Sequence, residues 1–205
     1  MTDEAPNRAR KRPRQRRSRE LVDVLLEATA RVLATGRSLD EATTNEIAAI
    51  AGVSIGSLYQ YFPNKQALAA ALIEQRAARS LEEVGGAIGA LAGRPFGERL
   101  AAGVRSLVAM HRRERALYVA MFALVREVGQ HELVRTLAAQ GREMLRQLFE
   151  AHRDELRPDV DLELAAFVVG HALEALVHAA VEEAPALLDE RLEQELVRLL
   201  LGYLR

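Results

Sequence analysis

Ten residues lie between Gly52 and Pro63, and those two residues decide what the interval can become. Glycine takes a left-handed turn without steric penalty, whereas proline cannot continue a helix because it lacks an N–H and clashes with the preceding turn. The interval therefore admits one helix of about two turns, no more. Ser54 is a suitable N-cap for it, which predicts a helix over 55–61. Upstream, Thr43 with Glu46 three residues on has the capping-box pattern and predicts another short helix over 44–51, burying Ile47, Ala48 and Ile50. A longer helix over 19–35 is expected before them. Ser18 would be its N-cap, Gly36 lies just past its end, and Leu21, Val24, Leu25, Ala28, Val32 and Leu33 fall at helical spacing. Two short helices across a glycine turn, supported by a third, make a helix-turn-helix.

The contents of the last short helix are odd for a core. Tyr59-Gln60-Tyr61-Phe62 holds three of the chain's nine aromatic residues. Leu58 and Phe62, four apart, can anchor the helix, but Ile55, Gly56, Ser57, Tyr59, Gln60 and Tyr61 make a poor buried surface. Tyr59 and Tyr61 are therefore expected to face outward. Gly56 in a helix costs about 1 kcal/mol relative to alanine, a cost that makes sense where a backbone must come close to something. Ser57 and Gln60 donate and accept hydrogen bonds, and tyrosine hydroxyls donate to phosphate, which are the groups that read grooves and backbones of duplex DNA. Asn64 is a cap for a further helix beginning at Lys65, where the ammonium could hold a phosphate beside free amides.

The remainder reads as helix. Expected spans are Lys65 to about Leu91, Pro95 to about His111, Arg115 to Val128 closed by Gly129, His131 to Leu156, Leu162 to Glu183 and Leu187 to Leu204. No long β-branched alternating run occurs, so the expected fold class is all-α. It comprises an N-terminal three-helix helix-turn-helix DNA-binding domain and a C-terminal helical bundle for ligand binding and dimerisation.

Net charge is −1, but it is unevenly placed: eight of the twelve residues from 8 to 19 are basic and none is acidic. Residues 1–17 read as a disordered basic arm that includes Arg16 and Arg17, a feature suited to phosphate. With no cysteine, disulfides, thiolate metal sites and cysteine nucleophiles are excluded. The N-terminus has no apolar run of the kind a signal peptide needs, so the chain is expected in the cytoplasm. The most apolar window, Leu164 to Val181, carries His171, Glu174 and His178 and is read as a buried helix rather than a membrane span.

The segment TNEIAAIAGVSIGSLYQYFPNKQAL resembles the signature of the tetracycline-repressor (TetR) family. Thr43, Glu46, Ile47, Ala48, Ala51 to Ser54, Gly56, Leu58, Tyr59, Tyr61, Phe62, Asn64, Lys65 and Leu68 carry the match, within residues 18–75. The resemblance implies a homodimeric repressor that binds a palindromic operator and is relieved by an unidentified, partly apolar small molecule. It implies that Thr43 and Thr44 meet phosphate and that Ser54, Ile55, Gly56 and Ser57 enter the major groove. Tyr59 and Gln60 would lie over bases or backbone, while Tyr61 and Lys65 would clamp phosphates. Ile55 departs from the lysine or polar residue common there; it cannot hydrogen-bond a guanine and could instead contact a thymine methyl, which leaves the base preference at this position open. The basic arm could reach an adjacent minor groove. The domains expected are 1–17 as the arm, 18–64 for DNA binding, and 65–205 for ligand binding and dimerisation.

Within the last of these, Met110, Tyr118, Met121, Phe122, Met144, Phe149, Phe167 and His171 would suit an adaptable apolar pocket. The helix around ELAAFVVGHALEALVHAAV is apolar almost all round and needs burial on two sides. Ala166, Gly170 and Ala179 would permit close approach of a partner subunit. Phe167, Gly170, Glu174, His178, Leu192, Leu196, Leu199 and Tyr203 are the expected dimer interface. His171, Glu174 and His178 share a face, and hydrogen bonding in a core or seam is preferred over a metal site. No cofactor is expected. A di-iron bundle enzyme needs Glu-x-x-His on two helices, and none of the five histidines has a glutamate three positions before it. A helical interaction module without DNA binding is the third reading, separated from the first by titration with duplex DNA.

Overall fold

A computed structural model of the protein describes residues 16–128 and 131–205. The arm 1–15 and Gly129 lie outside the described residues, as do the side chains of Arg16 and Arg17. Among the described residues there are nine α-helices, two 3-10 turns and no strand. The helices are α1 (Arg16–Leu33), α2 (Thr44–Ala51), α3 (Ile55–Tyr61), α4 (Lys65–Gly89), α5 (Phe96–Arg113), α6 (Arg115–Val128), α7 (His131–Glu150), α8 (Leu162–Glu182) and α9 (Glu190–Leu204).

The all-α reading holds, and the two short helices start and stop where their local causes place them. Thr43 Oγ1 accepts from the Glu46 N–H at 3.1 Å, and Ser54 Oγ accepts from the Ser57 N–H at 3.1 Å. Between them Gly52 adopts φ 68° and ψ 27°, and the amides of Gly52 and Val53 bond back to the Ala49 and Ala48 carbonyls. This left-handed residue is what turns the chain sharply enough for α3 to follow α2.

Ile50, expected to be buried by α2, is 45 % exposed, because only Ile47 and Ala48 fall on the packed side of that helix. Three boundaries differ from the sequence expectation by three residues or more. Helix α1 begins at Arg16, so Ser18 lies inside it and does not cap it; its hydroxyl instead accepts a hydrogen bond from Tyr61 at 3.2 Å. Helix α7 stops at Glu150, six residues short of Leu156. There the His152 N–H turns to the Phe149 carbonyl and a 3-10 turn, Arg153–Glu155, follows. Helix α9 begins at Glu190 rather than Leu187, because Pro185–Leu187 forms its own 3-10 turn and Asp189 provides the cap to the Arg191 N–H at 3.0 Å.

The chain divides into two compact units. One comprises the residues up to Arg76 together with Ala116–Leu133; the other comprises Ala77–Arg115 and Val134–Arg205. The core of the first contains Leu25, Leu33, Leu39, Ile47, Leu58, Phe62, Leu68 and Leu72, all fully buried. Beside it, the partly buried Arg76 pairs with Glu27 at 2.8 Å and ties α4 to α1.

The core of the second unit is built around Phe96 and Phe149, edge to face with centroids 5.9 Å apart. A hydrogen-bonded hub closes over these rings. Glu155 Oε1 accepts from the Phe96 N–H at 2.8 Å and from His152 Nδ1 at 2.9 Å, while Arg205 donates to Glu155 Oε2 at 2.8 Å. Arg99 Nη1 stands 2.8 Å from His152 Nε2 on the other side of the ring. The Phe96 amide, and then His152, hold the Glu155 carboxyl below the usual carboxylate range.

Candidate nucleic-acid interface

Helix α3 sorts its seven residues by the helical period. Leu58 and Tyr61, with Phe62 just beyond, go inward; Ile55, Gly56, Tyr59 and Gln60 stand exposed. The exposed residues form two i, i+4 pairs, Ile55 with Tyr59 and Gly56 with Gln60, and so share one face. Tyr59 is 42 % exposed and Ile55 36 %.

Tyr61 is not on that face. It is 7 % exposed and its hydroxyl donates to Ser18 of α1, correcting the expectation that both tyrosines point outward. Three residues after Leu58, Tyr61 falls on the inward side of the helix, and its hydroxyl finds a partner there. It anchors α3 to α1.

Lys65, expected to clamp a phosphate, is also differently engaged. Its ammonium donates to the carbonyls of Leu39 at 2.8 Å, Asp40 at 3.0 Å and Ala42 at 3.2 Å. An ammonium has three N–H donors, and these three carbonyls take all of them. Lys65 thus organises the turn that ends at Thr43, the cap of α2. The sequence offered no sign of this, since the turn over 38–42 has no periodicity.

The other expected contact residues surround the exposed face of α3. Thr44 Oγ1 and the Tyr59 hydroxyl stand 3.1 Å apart in a hydrogen bond that links the start of α2 to α3. Ser54 and Ser57 hydroxyls are 2.9 Å apart. Thr43 and Ser54 are exposed, and Ser57 is half-buried. Glu46 takes the Arg37 guanidinium, a partner the sequence reading missed; that hydrogen bond is the main reason its carboxyl lies below the usual range, with the Thr43 backbone adding to it.

Gly56 has open space where a side chain would be. A Cβ built there would meet only Ser54 Oγ, at 3.8 Å, which is ordinary contact. The protein itself therefore does not require glycine at this position. Gly56→Ala should stabilise the fold by about 0.5–1 kcal/mol, read as a higher melting temperature. The same variant should bind duplex DNA roughly tenfold more weakly, the scale of one lost base contact. Stabilisation with unchanged DNA affinity would show that nothing approaches the backbone there.

The expected pocket residues fall in both units: Tyr118, Met121 and Phe122 in the first, the others in the second. Phe149 is in the core against Phe96, and Met110, Tyr118 and Met121 are buried. Phe122 stands 6.3 Å from Tyr118, and Met144 is half-buried beside Gly85. Phe167 and His171 instead lie on the exposed side of α8, ring centroids 4.2 Å apart. A surface groove of about 700 Å³ runs between α5 and α9, lined by Arg105, Arg112, Glu193 and Val197 among others, and by none of the expected pocket residues.

The expected interface residues divide as well. Phe167, 51 % exposed, and Leu199, 54 % exposed, are uncovered, and Glu174 is exposed. Leu196 is buried within the chain, so it packs the second unit's own core. Gly170 faces α7: a Cβ there would meet the Arg142 side chain at 3.4 Å, so its close approach is internal. Leu192 and Tyr203 are half-buried, with the Arg157 guanidinium over the Tyr203 ring at 5.1 Å. His178 Nε2 lies 3.2 Å from Glu182, and His171 Nδ1 lies 2.9 Å from the Phe167 carbonyl. Among the described residues no group of three or more His, Asp or Glu is placed to hold a metal.

A capped helix, a left-handed glycine turn and a short helix with one uncovered face, all supported by α1, define a helix-turn-helix protein. Two family models match the sequence. Residues 25–72 match that of the bacterial regulatory proteins of the tetR family, and residues 95–204 that of the tetracyclin repressor-like C-terminal domain. The chain belongs to the TetR family.

Solved structures share the fold. GusR of Salmonella enterica superposes with a TM-score of 0.72 at 22 % identity, over 90 % of this chain and 95 % of that one. SmeT, the repressor of the Stenotrophomonas maltophilia multidrug efflux pump SmeDEF, gives 0.71 at 20 % identity over 89 % of each chain. FadR of Bacillus subtilis, solved with stearoyl-CoA, gives 0.68 at 18 % identity over 91 % of this chain and 99 % of that one. No curated protein sequence matches the chain.

Proposed function

We propose that the chain is a sequence-specific transcriptional regulator, a cytoplasmic homodimeric repressor that places α3 in the major groove of a palindromic operator and releases it when a small molecule binds. The observation that carries this reading is the outward face of α3. Ile55, Gly56, Tyr59 and Gln60 are exposed together on a helix whose other side is fully packed. In the proposed division, residues 18–64 bind DNA and 65–205 bind effector and partner. Thr43 and Thr44 meet phosphate beside the helix, and the basic arm with Arg16 and Arg17 adds charge.

Dimerisation is supported by α8, where Leu164, Phe167, Val168 and Leu176 are exposed apolar side chains, and by Leu199 of α9. Helix α8 is long and apolar enough to cross a membrane. His171, Glu174 and His178 along it favour a protein partner over lipid, since ionisable groups are costly at bilayer depth. A C₂ pair would set two α3 helices for half-sites about one DNA turn apart. Effector binding is supported by the stearoyl-CoA in the FadR complex and, within the first unit, by the buried Tyr118 and Met121 of α6, an adaptable apolar pair. An effector acts as inducer only by favouring a conformer that fits the operator less well. The chain is read as a binding protein without a catalytic role or cofactor.

Mobility shift of the purified chain on the DNA upstream of its own gene tests the core of this reading. A retarded complex is expected, weakened about tenfold or more by Gln60→Ala, since one good base contact discriminates by about 1–3 kcal/mol. Absence of a complex at moderate salt, for the wild-type chain, would overturn it.

A further inference from the structure

We propose that Ile55 is a base-reading residue that selects thymine, through van der Waals contact of its side chain with the thymine C5-methyl group. The assignment rests on the DNA-binding reading above. Ile55 opens α3 and is 36 % exposed, with no side chain from the next position beside it because that position is Gly56. Its i+4 neighbour on the same face is Tyr59, whose hydroxyl is already paired with Thr44 at 3.1 Å. The hydroxyls of Ser54 and Ser57, flanking Ile55 and Gly56 in sequence, are bonded to each other at 2.9 Å, and Ser54 also accepts the Ser57 N–H. The leading corner of the helix is thus hydrocarbon, bordered by hydroxyls that already hold partners.

The major-groove edges of adenine and guanine present donors and acceptors, and cytosine presents its N4 donor beside a small C5–H. Thymine alone adds a methyl group. A branched alkyl side chain pressed on a polar edge leaves that edge without a hydrogen bond, which is unfavourable once water is excluded. Pressed on the methyl group, it removes two apolar surfaces from water and strips no polar group. The discrimination therefore comes from a gain at thymine, from the missing methyl contact at cytosine, and from a loss where the side chain would cover a purine's polar edge.

The test replaces thymine by deoxyuridine, which keeps base pairing and every polar atom and removes only the methyl group. Duplexes are first selected from a randomised pool by the full chain, and each dT of the enriched sequence is then exchanged for dU in both half-sites. At one symmetric position the exchange should weaken binding about fourfold per half-site, and about fifteenfold for both, the effect of burying one methyl-sized group. Ile55→Ala, an exposed position that leaves the fold intact, should bind the dT and dU duplexes at that position equally. If no dU exchange changes affinity, or if Ile55→Ala keeps the wild-type dT/dU ratio, thymine reading by Ile55 is wrong although DNA binding stands. A pool that yields no enriched duplex overturns the DNA-binding reading and this assignment with it.

Discussion

Phe62→Ala is expected to destabilise the first unit by about 3–5 kcal/mol, the range for removing a large aromatic ring from a well-packed core. The ring is fully buried, and Pro63 directly after it leaves the backbone little freedom to collapse into the cavity. It also closes α3, its N–H bonding to the Leu58 carbonyl at 2.9 Å. Tyr59, three residues earlier on the same helix, provides the internal control. Tyr59→Ala removes a similar ring from an exposed position and should change stability by well under ~1 kcal/mol. Denaturant unfolding of the full chain reads both. Comparable losses at the two positions would mean that the helix is not divided into an inward and an outward side as described.

Lys65→Met should lower stability by about 2–3 kcal/mol while leaving the salt dependence of DNA binding unchanged. Three carbonyls lose a charged donor, and although each such bond is worth about 1.5–3 kcal/mol, partial exposure lets water replace some of it. A lysine that met phosphate directly would behave differently. Removing it would reduce the slope of log affinity against log salt by about one, because one fewer counterion is released. Affinity measured across a salt series, well below the variant's melting temperature, separates the two roles. A fall in slope of about one for each subunit would restore Lys65 to the DNA surface.

The parts of the molecule that were legible in the sequence are those with local causes. Helices α2 and α3 have the expected bounds because Thr43, Gly52, Ser54 and Pro63 each act within a few residues of where they stand. The family signature falls on that same segment. Tyr61 was legible in principle: a residue three after the buried Leu58 belongs on the inward side, and counting tyrosines as contact groups obscured that. The partners of Lys65 were not legible, since they are carbonyls in an aperiodic turn more than twenty residues earlier. The ends of α7 and α9 were missed for related reasons. The early stop of α7 is bound up with a hub that brings His152 and Glu155 to Phe96, Arg99 and Arg205, contacts fifty or more residues apart in sequence. Gly170 and Leu196 could not be apportioned between partner and own chain, because an apolar helix looks the same from sequence whichever neighbour covers it.

The hydroxyl pair of Thr44 and Tyr59 has a consequence for how tightly and how selectively this surface can bind. Each side chain is held before any partner arrives, so the loss of rotamer freedom that contact usually exacts, about 0.5–1.5 kcal/mol for each side chain, is largely met in the free protein. A phosphate or base that takes one of these hydroxyls must offer a better bond than the one it displaces. Weak, misaligned contacts gain little by that exchange, while a well-aligned one gains fully from the ready-made geometry. The surface is thus stiff toward wrong partners and prepared for the right one.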